Sequence, residues 1–446
     1  MTVRKSQVYG ALATAWAIVK FVIGWMLMPI VTPFIAWRAA VNHALAKARV
    51  GSFRAAVAAL DAGVTPPAPT DRVTWLPSDI DVFISSDLHR CFPGARDWLE
   101  VQGTKGLYAA MLDFYAESGA HVIENGDIDD FWMIGGSPYG QAYDAARVAT
   151  KPLPGRLGLE LRRSLYRQHL QRIVAANHLS YDRIAKRLAP AGRYHRTVGN
   201  HDDVFLDPAL AEEIAAVSGG VDPVDWVVLT HPDGSAAAVI THGHQTDGWN
   251  SPGRSNLGQA ATWMANSFSD APGLEAPDSI PPRSLTLALL RGHLPNHLIS
   301  VDQRFGTNMR YDSLDEERLF DAFGGASNLG PWILLGHTHL PVFQPLSKSA
   351  VPWVRYVNSG NGLWNGMVTG IEWSGAEQRP VLVAWLWADD EDTTEFTEDH
   401  VVTEWEGRPI ARIELSRDLD GRHVRAVSSA VDPGSVDQPA TRSASA

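Results

Sequence analysis

Cysteine is almost absent from this sequence: Cys91 is the only one among 446 residues. A single cysteine excludes an intramolecular disulfide, which fits a reducing compartment. It also excludes a structural zinc site built from several thiolates of this chain. A metal site in this protein would have to use carboxylates, imidazoles and amide oxygens instead.

Positive charge is also in short supply, with 38 Lys and Arg against 50 Asp and Glu and a formal net charge of -12. This balance disfavours a general nucleic-acid surface, so no nucleic acid is expected as a partner. Internal repeats are not found in the sequence. A chain of this length exceeds the usual single core, which predicts one large catalytic domain with appendages.

What the sequence does contain is a set of five short clusters of metal-ligand residue types, each placed directly after an apolar run. The clusters are Asp87-Leu88-His89, Gly126-Asp127-Ile128-Asp129-Asp130, Gly199-Asn200-His201-Asp202, His242-Gly243-His244 and Gly336-His337-Thr338-His339. Each run reads as a strand, and the loops at the carboxyl ends of strands converge in α/β proteins. The clusters can therefore aim oxygen and nitrogen ligands at one point.

The rest of the pattern predicts an α/β domain over residues 73–418. Leu157 to Leu188 has helical periodicity between two predicted strands, as a βαβ unit requires. From Val354 onward the pattern changes to short strands that we expect to extend a second sheet. Residues 419–446 are biased toward Ser, Ala, Asp and Pro, which predicts a disordered tail.

The N-terminal 60 residues form an apolar and basic segment. Tyr9 to Trp37 is long enough to cross a bilayer, but Lys20, Pro29 and Pro33 oppose a spanning helix. We favour membrane association over the alternative of a buried helix or hairpin, with the catalytic domain in the cytoplasm. Residues 39–60 read as a basic helix, either on an anionic membrane or simply solvated. Residues 61–72 read as a linker.

A long insertion at about residues 245–331 separates the last two clusters. It contains no further metal-ligand cluster, but it includes several Trp and Arg residues, such as Trp263 and Arg291. Because both of its ends are fixed by site loops, we expect it to cover the site and shape its specificity. This predicts a cap.

The five clusters, in this order, resemble the calcineurin-like metallophosphoesterase family. The family pattern is D-x-H, G-D-x-x-D, G-N-H-D or G-N-H-E, a His beside Gly, and G-H-x-H, and the match runs from about Asp81 to Asn361. The resemblance implies a four-layer α/β/β/α sandwich with a dinuclear metal centre. It also implies a metal-dependent hydrolase of phosphoester or pyrophosphate bonds, in which water activated by the metals attacks phosphorus.

Carried over by position, the resemblance implies two overlapping ligand sets that share Asp127 as a bridge. One metal would be held by Asp87, His89, Asp127 and His339, and the other by Asp127, Asn200, His242 and His337. Manganese is expected, with iron or zinc as alternatives. His201 would protonate the leaving group or stabilise the transition state, and Asp202 would orient the His201 ring.

The arrangement around the cap also resembles bacterial pyrophosphohydrolases that cleave UDP-diacylglucosamine at a membrane surface. The chain departs from those enzymes at His201, where they carry an Arg after Gly-Asn. The expected substrate is a phosphorylated small molecule or a lipid-linked compound. Two other functions remain open: a membrane-recruited scaffold whose metal site has decayed, and an exonuclease, which the acidic composition disfavours.

Overall fold

The computed structural model describes residues 51–66, 72–92, 97–132, 138–151, 153–247, 330–339, 341–343, 355–362, 366–391, 393–397 and 400–415, with single residues 26, 33, 37, 41, 49, 250, 258, 259 and 290. Most of the Tyr9 to Trp37 stretch and of the predicted cap, and the whole tail 419–446, lie outside these residues. No helix within the described ranges is both long and apolar enough to cross a membrane.

The described part of the chain alternates strands and helices. Its strands are β1 Val73–Pro77, β2 Val82–Ser85, β3 His121–Asn125, β4 Tyr194–Thr197, β5 Trp226–Thr230, β6 Ala236–Ile240, β7 Trp332–Leu335, β8 Pro341–Phe343, β9 Tyr356–Ser359, β10 Met367–Ser374, β11 Arg379–Trp387, β12 Val401–Trp405 and β13 Arg408–Glu414. Its helices are α1, whose described part is 51–61, α2 Trp98–Val101, α3 Lys105–Ser118, α4 Pro138–Thr150, α5 Gly155–Ala176, α6 His178–Arg183, α7 Pro208–Val217 and α8 Thr394–Thr397.

The strands form two mixed sheets, which confirms the predicted α/β class. One sheet has the order β1-β5-β6-β7-β9-β8, and the other has the order β12-β13-β11-β10-β2-β3-β4. In the second sheet β2, β3 and β4 are parallel, and in the first sheet β6, β7 and β9 are parallel. Parallel strands bring their carboxyl ends to one edge, so each sheet offers neighbouring loops for a site.

Strand β2 shows how the layers pack. Val82 and Ile84 lie in an apolar cluster that also contains residues of the six-stranded sheet, such as Val239 and Leu334. Phe83, between them, belongs to a different cluster, which includes side chains of α3. Alternating side chains of a strand point to opposite faces. At β2 the seven-stranded sheet is therefore buried on both faces, which explains why Val82, Phe83 and Ile84 are all apolar.

Helix α1 packs on the domain. Phe53, Val57 and Leu60 share one side of the helix and are buried in the cluster of the six-stranded sheet, with the Phe53 and Trp226 ring centroids 5.6 Å apart. In the described end of the N-terminal segment, the apolar side chains thus cover the sheet. The reason is that residues 51–61 present an apolar stripe of the width that a sheet surface accepts.

Candidate metal centre

The loops after the strand ends are tied together by backbone hydrogen bonds. The Asp87 N–H donates to the Gly126 carbonyl at 3.1 Å, and the His89 N–H donates to the Asp127 carbonyl at 3.0 Å. In the six-stranded sheet, the Gly336 N–H donates to the His242 carbonyl at 2.9 Å. These bonds join loops that are distant in sequence.

The backbone at these loops is unusual. Among the described residues, seven that are not glycine have a positive φ, and five of them are predicted metal ligands. These five are Asp87, His89, Asp127, His337 and His339, with φ between 46° and 74°. Each such residue costs of order 1–3 kcal/mol, and such strain is concentrated at functional sites in proteins. The loops are therefore shaped to aim these side chains.

The first group of converging ligand atoms comes from Asp87, His89 and His339. The His339 Nε2 atom lies 3.2 Å from His89 Nε2 and 3.3 Å from Asp87 Oδ1. Asp87 Oδ1 is buried and accepts no hydrogen bond from any described residue. A carboxylate oxygen and two imidazole nitrogens facing one point are a ligand set that suits a divalent transition metal.

The second group comes from Asp127, His242 and His337. His242 Nδ1 lies 3.0 Å from the Asn125 carbonyl oxygen, which can only accept, so Nδ1 carries the hydrogen. The Nε2 atom of His242 then faces Asp127 Oδ2 and Asn200 Oδ1, each at 3.2 Å. When the His242 ring is neutral, its Nε2 atom is an acceptor, as are Asp127 Oδ2 and Asn200 Oδ1. A cation bound between these three atoms would interact favourably with all of them.

The pKa shifts of His242 and Asp127 also indicate that the carboxylates of this group need a neighbouring positive charge. Burial opposes a charged ring, but Asp127 and Asp87 raise the pKa of His242 to about 9. Burial likewise opposes ionisation of Asp127, yet His242 and His201 hold the pKa of that carboxyl well below its usual value. The carboxylates thus stay ionised, and in the absence of a metal the proton on His242 is the compensating charge. These His and Asp groupings could bind a metal ion.

Two glycines of the predicted motifs are required by close packing. A Cβ added at Gly199 would overlap Oδ1 and the backbone nitrogen of Asp127. One added at Gly336 would overlap the hydroxyl of Ser86 and would lie 2.7 Å from Asp87 Oδ2. Backbone therefore approaches both central carboxylates at distances that only glycine permits.

His201 lies beside the ligands with its ring held on two sides. Its Nδ1 is 3.2 Å from Asp130 Oδ2, and the Trp132 indole stacks on it at a centroid distance of 4.3 Å. The same Asp130 oxygen is 2.9 Å from Nδ1 of His89. Burial would raise the pKa of Asp130, but His201 and His89 together lower it, so this carboxylate stays charged. Asp130 therefore orients both rings.

Asp202 is placed differently from the prediction. Its carboxylate accepts from the Gly199 N–H at 2.6 Å, from the Ile128 N–H at 3.2 Å and from Arg196 Nη2 at 2.8 Å. The structure does not bring this carboxylate to the His201 ring, where Asp130 stands instead. Asp202 directly follows His201 in the sequence, which favoured it as the partner of the His201 ring. In the structure the two side chains contact different residues. Asp202 fixes the backbone of the loop that carries Asn200.

A buried charge network lies next to these residues and was not recognised in the sequence. Arg90 donates to both Glu124 oxygens at 3.1 and 3.0 Å and to Asp129 Oδ1 at 3.1 Å. Arg196 Nη1 is 2.8 Å from Asp129 Oδ2, while its Nη2 holds Asp202. All five side chains are at most 1 % exposed. The sequence did offer one signal for this network, a charged residue inside each of two neighbouring strands: Glu124 in β3 and Arg196 in β4.

Asp247 was also missed. Its Oδ2 lies 3.2 Å from His337 Nε2, and it follows the short turn His244–Thr246 that succeeds His242. The other ring nitrogen of His337, Nδ1, is buried and has no hydrogen-bond partner among the described residues. Asp247 thus holds the ring from one side, leaving Nδ1 as the atom able to bind a metal.

The side chains that reach solvent define where a ligand can approach. His201, His337 and His339 are 12, 11 and 24 % exposed, whereas Asp87 and His89 are fully buried. A molecule entering the site would meet these three imidazoles first. The buried carboxylates lie behind them.

The comparisons with known proteins do not add to this picture. No protein-family model matches the chain, and no curated protein matches it either. What the chain does must therefore be inferred from the site itself.

Proposed function

We propose that this protein is a metal-dependent hydrolase of phosphoester or pyrophosphate bonds, built on a four-layer α/β/β/α calcineurin-like fold. Three groups of converging His and Asp atoms lie in these loops, and one of them is formed by His89, Asp130 and His201. The observation that carries the proposal is the other two groups. One contains Asp87, His89 and His339, and the other contains Asp127, His242 and His337. These groups correspond to the two ligand sets that the motif resemblance implies.

In this proposal two divalent cations are held in the site, with manganese expected and iron or zinc as alternatives. Asp127 would belong to both ligand sets, and Asn200 would complete the second set. When bound, such a pair clamps phosphoryl oxygens and lowers the pKa of water. The support in this chain is chemical: Asp87 Oδ1 accepts no hydrogen bond from a described residue, and His242 Nε2 faces only oxygen acceptors. Both features fit cations.

The chain's own catalytic group is His201. Asp130 holds Nδ1 of its ring, so the opposite nitrogen, Nε2, is the atom that can give a proton to the leaving oxygen. Trp132 keeps the ring from turning away because it stacks on one face. The His201 backbone N–H also donates to Asp127 Oδ1 at 2.7 Å, which couples the position of this loop to the central carboxylate.

A non-catalytic scaffold on the same fold is the main alternative. Decay of a metal site removes ligands, but every predicted ligand that the resemblance implies is present here and lies in the converging loops. The ring of His201 is moreover held in a defined orientation, which a scaffold does not need. The substrate class remains a phosphorylated small molecule or lipid-linked compound, acted on by a cytoplasmic, membrane-associated protein.

The proposal is tested with metal-loaded protein and three substrates: an aryl phosphomonoester, an aryl phosphodiester and a nucleotide sugar with a pyrophosphate bond. We expect turnover of at least one of them. His201→Ala should reduce kcat about 10²- to 10⁴-fold, the usual size of general-acid catalysis, without changing the metal content. His178→Ala is the matched control, because His178 is exposed and bonds only a nearby carbonyl.

Two results would overturn the proposal. Protein with a full metal complement that turns over none of the three substrates would favour the scaffold. Activity that is equal in wild type and in His201→Ala would remove His201 from the reaction.

A further inference from the structure

The hairpin between α4 and α5 carries an exposed apolar surface. Ten large apolar side chains are exposed among the described residues, and four of them lie here: Val148, Leu153, Leu157 and Leu161. Leu157 is 73 % exposed and Leu161, one helical turn later, is 44 % exposed. Single exposed apolar side chains are ordinary, but four within fourteen residues indicate an interaction surface. We call residues 148–163 the hairpin tip.

The charge around this patch is opposite in sign to that of the whole protein. The hairpin tip contains four basic residues and one acidic residue, in a chain whose formal net charge is -12. Arg156 is exposed beside Leu157, and Arg162 follows Leu161. The acidic residue, Glu160, is paired with Arg163 at 3.2 Å. Arg156 and Arg162 thus add positive charge next to the exposed leucines.

The hairpin tip extends past the N-terminal end of α7. Helices α5 and α7 run side by side in the same direction, because Arg163 holds Asp207 and Arg167 holds Glu213. Asp207 immediately precedes α7, just after the loop of His201. Gly155 to Arg163 covers roughly 12 Å of helix at 1.5 Å per residue. The first two turns of α5 therefore lie beyond the N-terminal end of α7.

We propose that the hairpin tip docks onto the surface of an anionic lipid bilayer. The leucines would enter the boundary between headgroups and acyl chains, and the basic side chains would lie at the level of the lipid phosphates. This is the arrangement of an interfacial amphipathic element, with apolar side chains ringed by Lys and Arg. The inference concerns binding and does not depend on the reaction proposed above.

A second exposed apolar pair provides a comparison within the same protein. Val401 and Val402, on the edge strand β12, are 49 and 41 % exposed. They are followed by Glu404 and Glu406 and lie at the opposite edge of the sheet from β4. Apolar exposure is thus similar at both places, while the surrounding charge differs. An anionic bilayer should attract only the hairpin tip.

The test uses the full chain with an environment-sensitive fluorophore attached to Leu157→Cys, and separately to Val401→Cys. Cys91 is fully buried, and wild type treated with the same reagent measures its background labelling. Vesicles of phosphatidylcholine alone are compared with vesicles that also contain phosphatidylglycerol. A local label is needed because the N-terminal segment can bind membranes independently. We expect a blue shift at position 157 with anionic vesicles, and none at position 401.

Affinity is measured from the same signal in two further variants. Leu161→Ser should weaken vesicle binding of the labelled hairpin tip about tenfold, since one buried leucine is lost. Arg156→Glu should weaken it at low salt and much less at high salt. Both residues are exposed, so circular dichroism and melting temperature should match those of the parent.

Four outcomes would overturn the inference. If the fluorophore at position 157 shows no blue shift with anionic vesicles, docking is excluded. If the fluorophore at position 401 shows an equal shift, the adsorption is nonspecific. If the fluorescence at position 157 already indicates an apolar environment without vesicles, at every protein concentration, another part of this chain covers the patch. A shift that depends on protein concentration instead of lipid identifies a second copy as the occupant.

Discussion

Two buried clusters of carboxylates lie side by side in this protein and differ in what balances their charge. Glu124 and Asp129 are bound by the guanidinium groups of Arg90 and Arg196. The positively chargeable neighbours that Asp87 and Asp127 contact among the described residues are imidazoles. We call the first the arginine network and the second the histidine cluster.

The two clusters differ in whether side chains of the chain supply a permanent positive charge. Burial disfavours a charged guanidinium, but Asp129 and Glu124 hold the pKa of Arg90 well above its usual value, so its positive charge is permanent. An imidazole supplies positive charge only when it is protonated or binds a cation. The carboxylates of the arginine network are therefore paired with permanent positive charges of the chain, whereas the histidine cluster has ligand atoms left for a metal. Asp127 and Asp129, two residues apart, belong to different clusters.

The largest expected effect comes from Asp127→Asn, which breaks the histidine cluster at its centre. Loss of the bridge should reduce bound metal to less than one ion per chain. Hydrolysis should fall about a thousandfold or more, because metal ions contribute several kcal/mol of transition-state stabilisation. Metal content is measured by mass spectrometry of dialysed protein, and activity is measured on the best of the three test substrates.

Asp129→Asn is the matched control, since it makes the same chemical change two residues away in the arginine network. It should keep its metal while losing stability. A pair of variants with equal metal content would show that the two clusters do not differ as proposed.

The next largest effect is on stability and concerns Arg196→Met. Removing this guanidinium leaves Asp129 and Asp202 buried with less compensation, which should cost about 3–5 kcal/mol of unfolding free energy. The measurement is urea unfolding of metal-free protein. Arg163→Met is the control, because Arg163 and its partner Asp207 are partly exposed and such a pair contributes about 1 kcal/mol or less. Similar losses in both variants would contradict a special role for the arginine network.

A smaller effect is expected at a third place, where two half-buried imidazoles, His121 and His195, face each other. His195 Nε2 lies 3.0 Å from His121 Nδ1, and burial together with His121 lowers the pKa of His195 to about 4. The unfolded value is near 6.5, so the unfolded chain takes up the proton first. Stability is therefore full above pH 6.5 and declines as the pH falls toward 4, by about 2–3 kcal/mol.

His195→Gln should reduce this decline, because glutamine cannot be protonated. Urea midpoints between pH 7 and pH 4.5 measure it, and His178→Gln, at an exposed histidine, should leave the wild-type slope unchanged. Parallel curves for wild type and His195→Gln would show that this pair does not titrate as expected.

Much of the site could be predicted from the sequence because its determinants are local. An apolar run followed by Gly-Asp or Gly-His specifies a strand that ends in a tight loop, and the ligand types follow within a few residues. Asp127 and His242 could be placed at strand ends in this way, and the α/β class follows from the alternation of such runs with helical segments. Gly199 and Gly336 were part of the same motifs, although their role in close packing was not visible.

Other features were decided only by the tertiary structure. Asp130, not Asp202, meets the His201 ring, and Asp129 joins Arg90 and Arg196 instead of the site. Helix α1 covers a sheet with side chains that the sequence alone could equally assign to a membrane. The physical reason is that side-chain pairing depends on the direction in which each loop leaves its strand. His89 and His339 meet across 250 residues, a contact that no local pattern specifies.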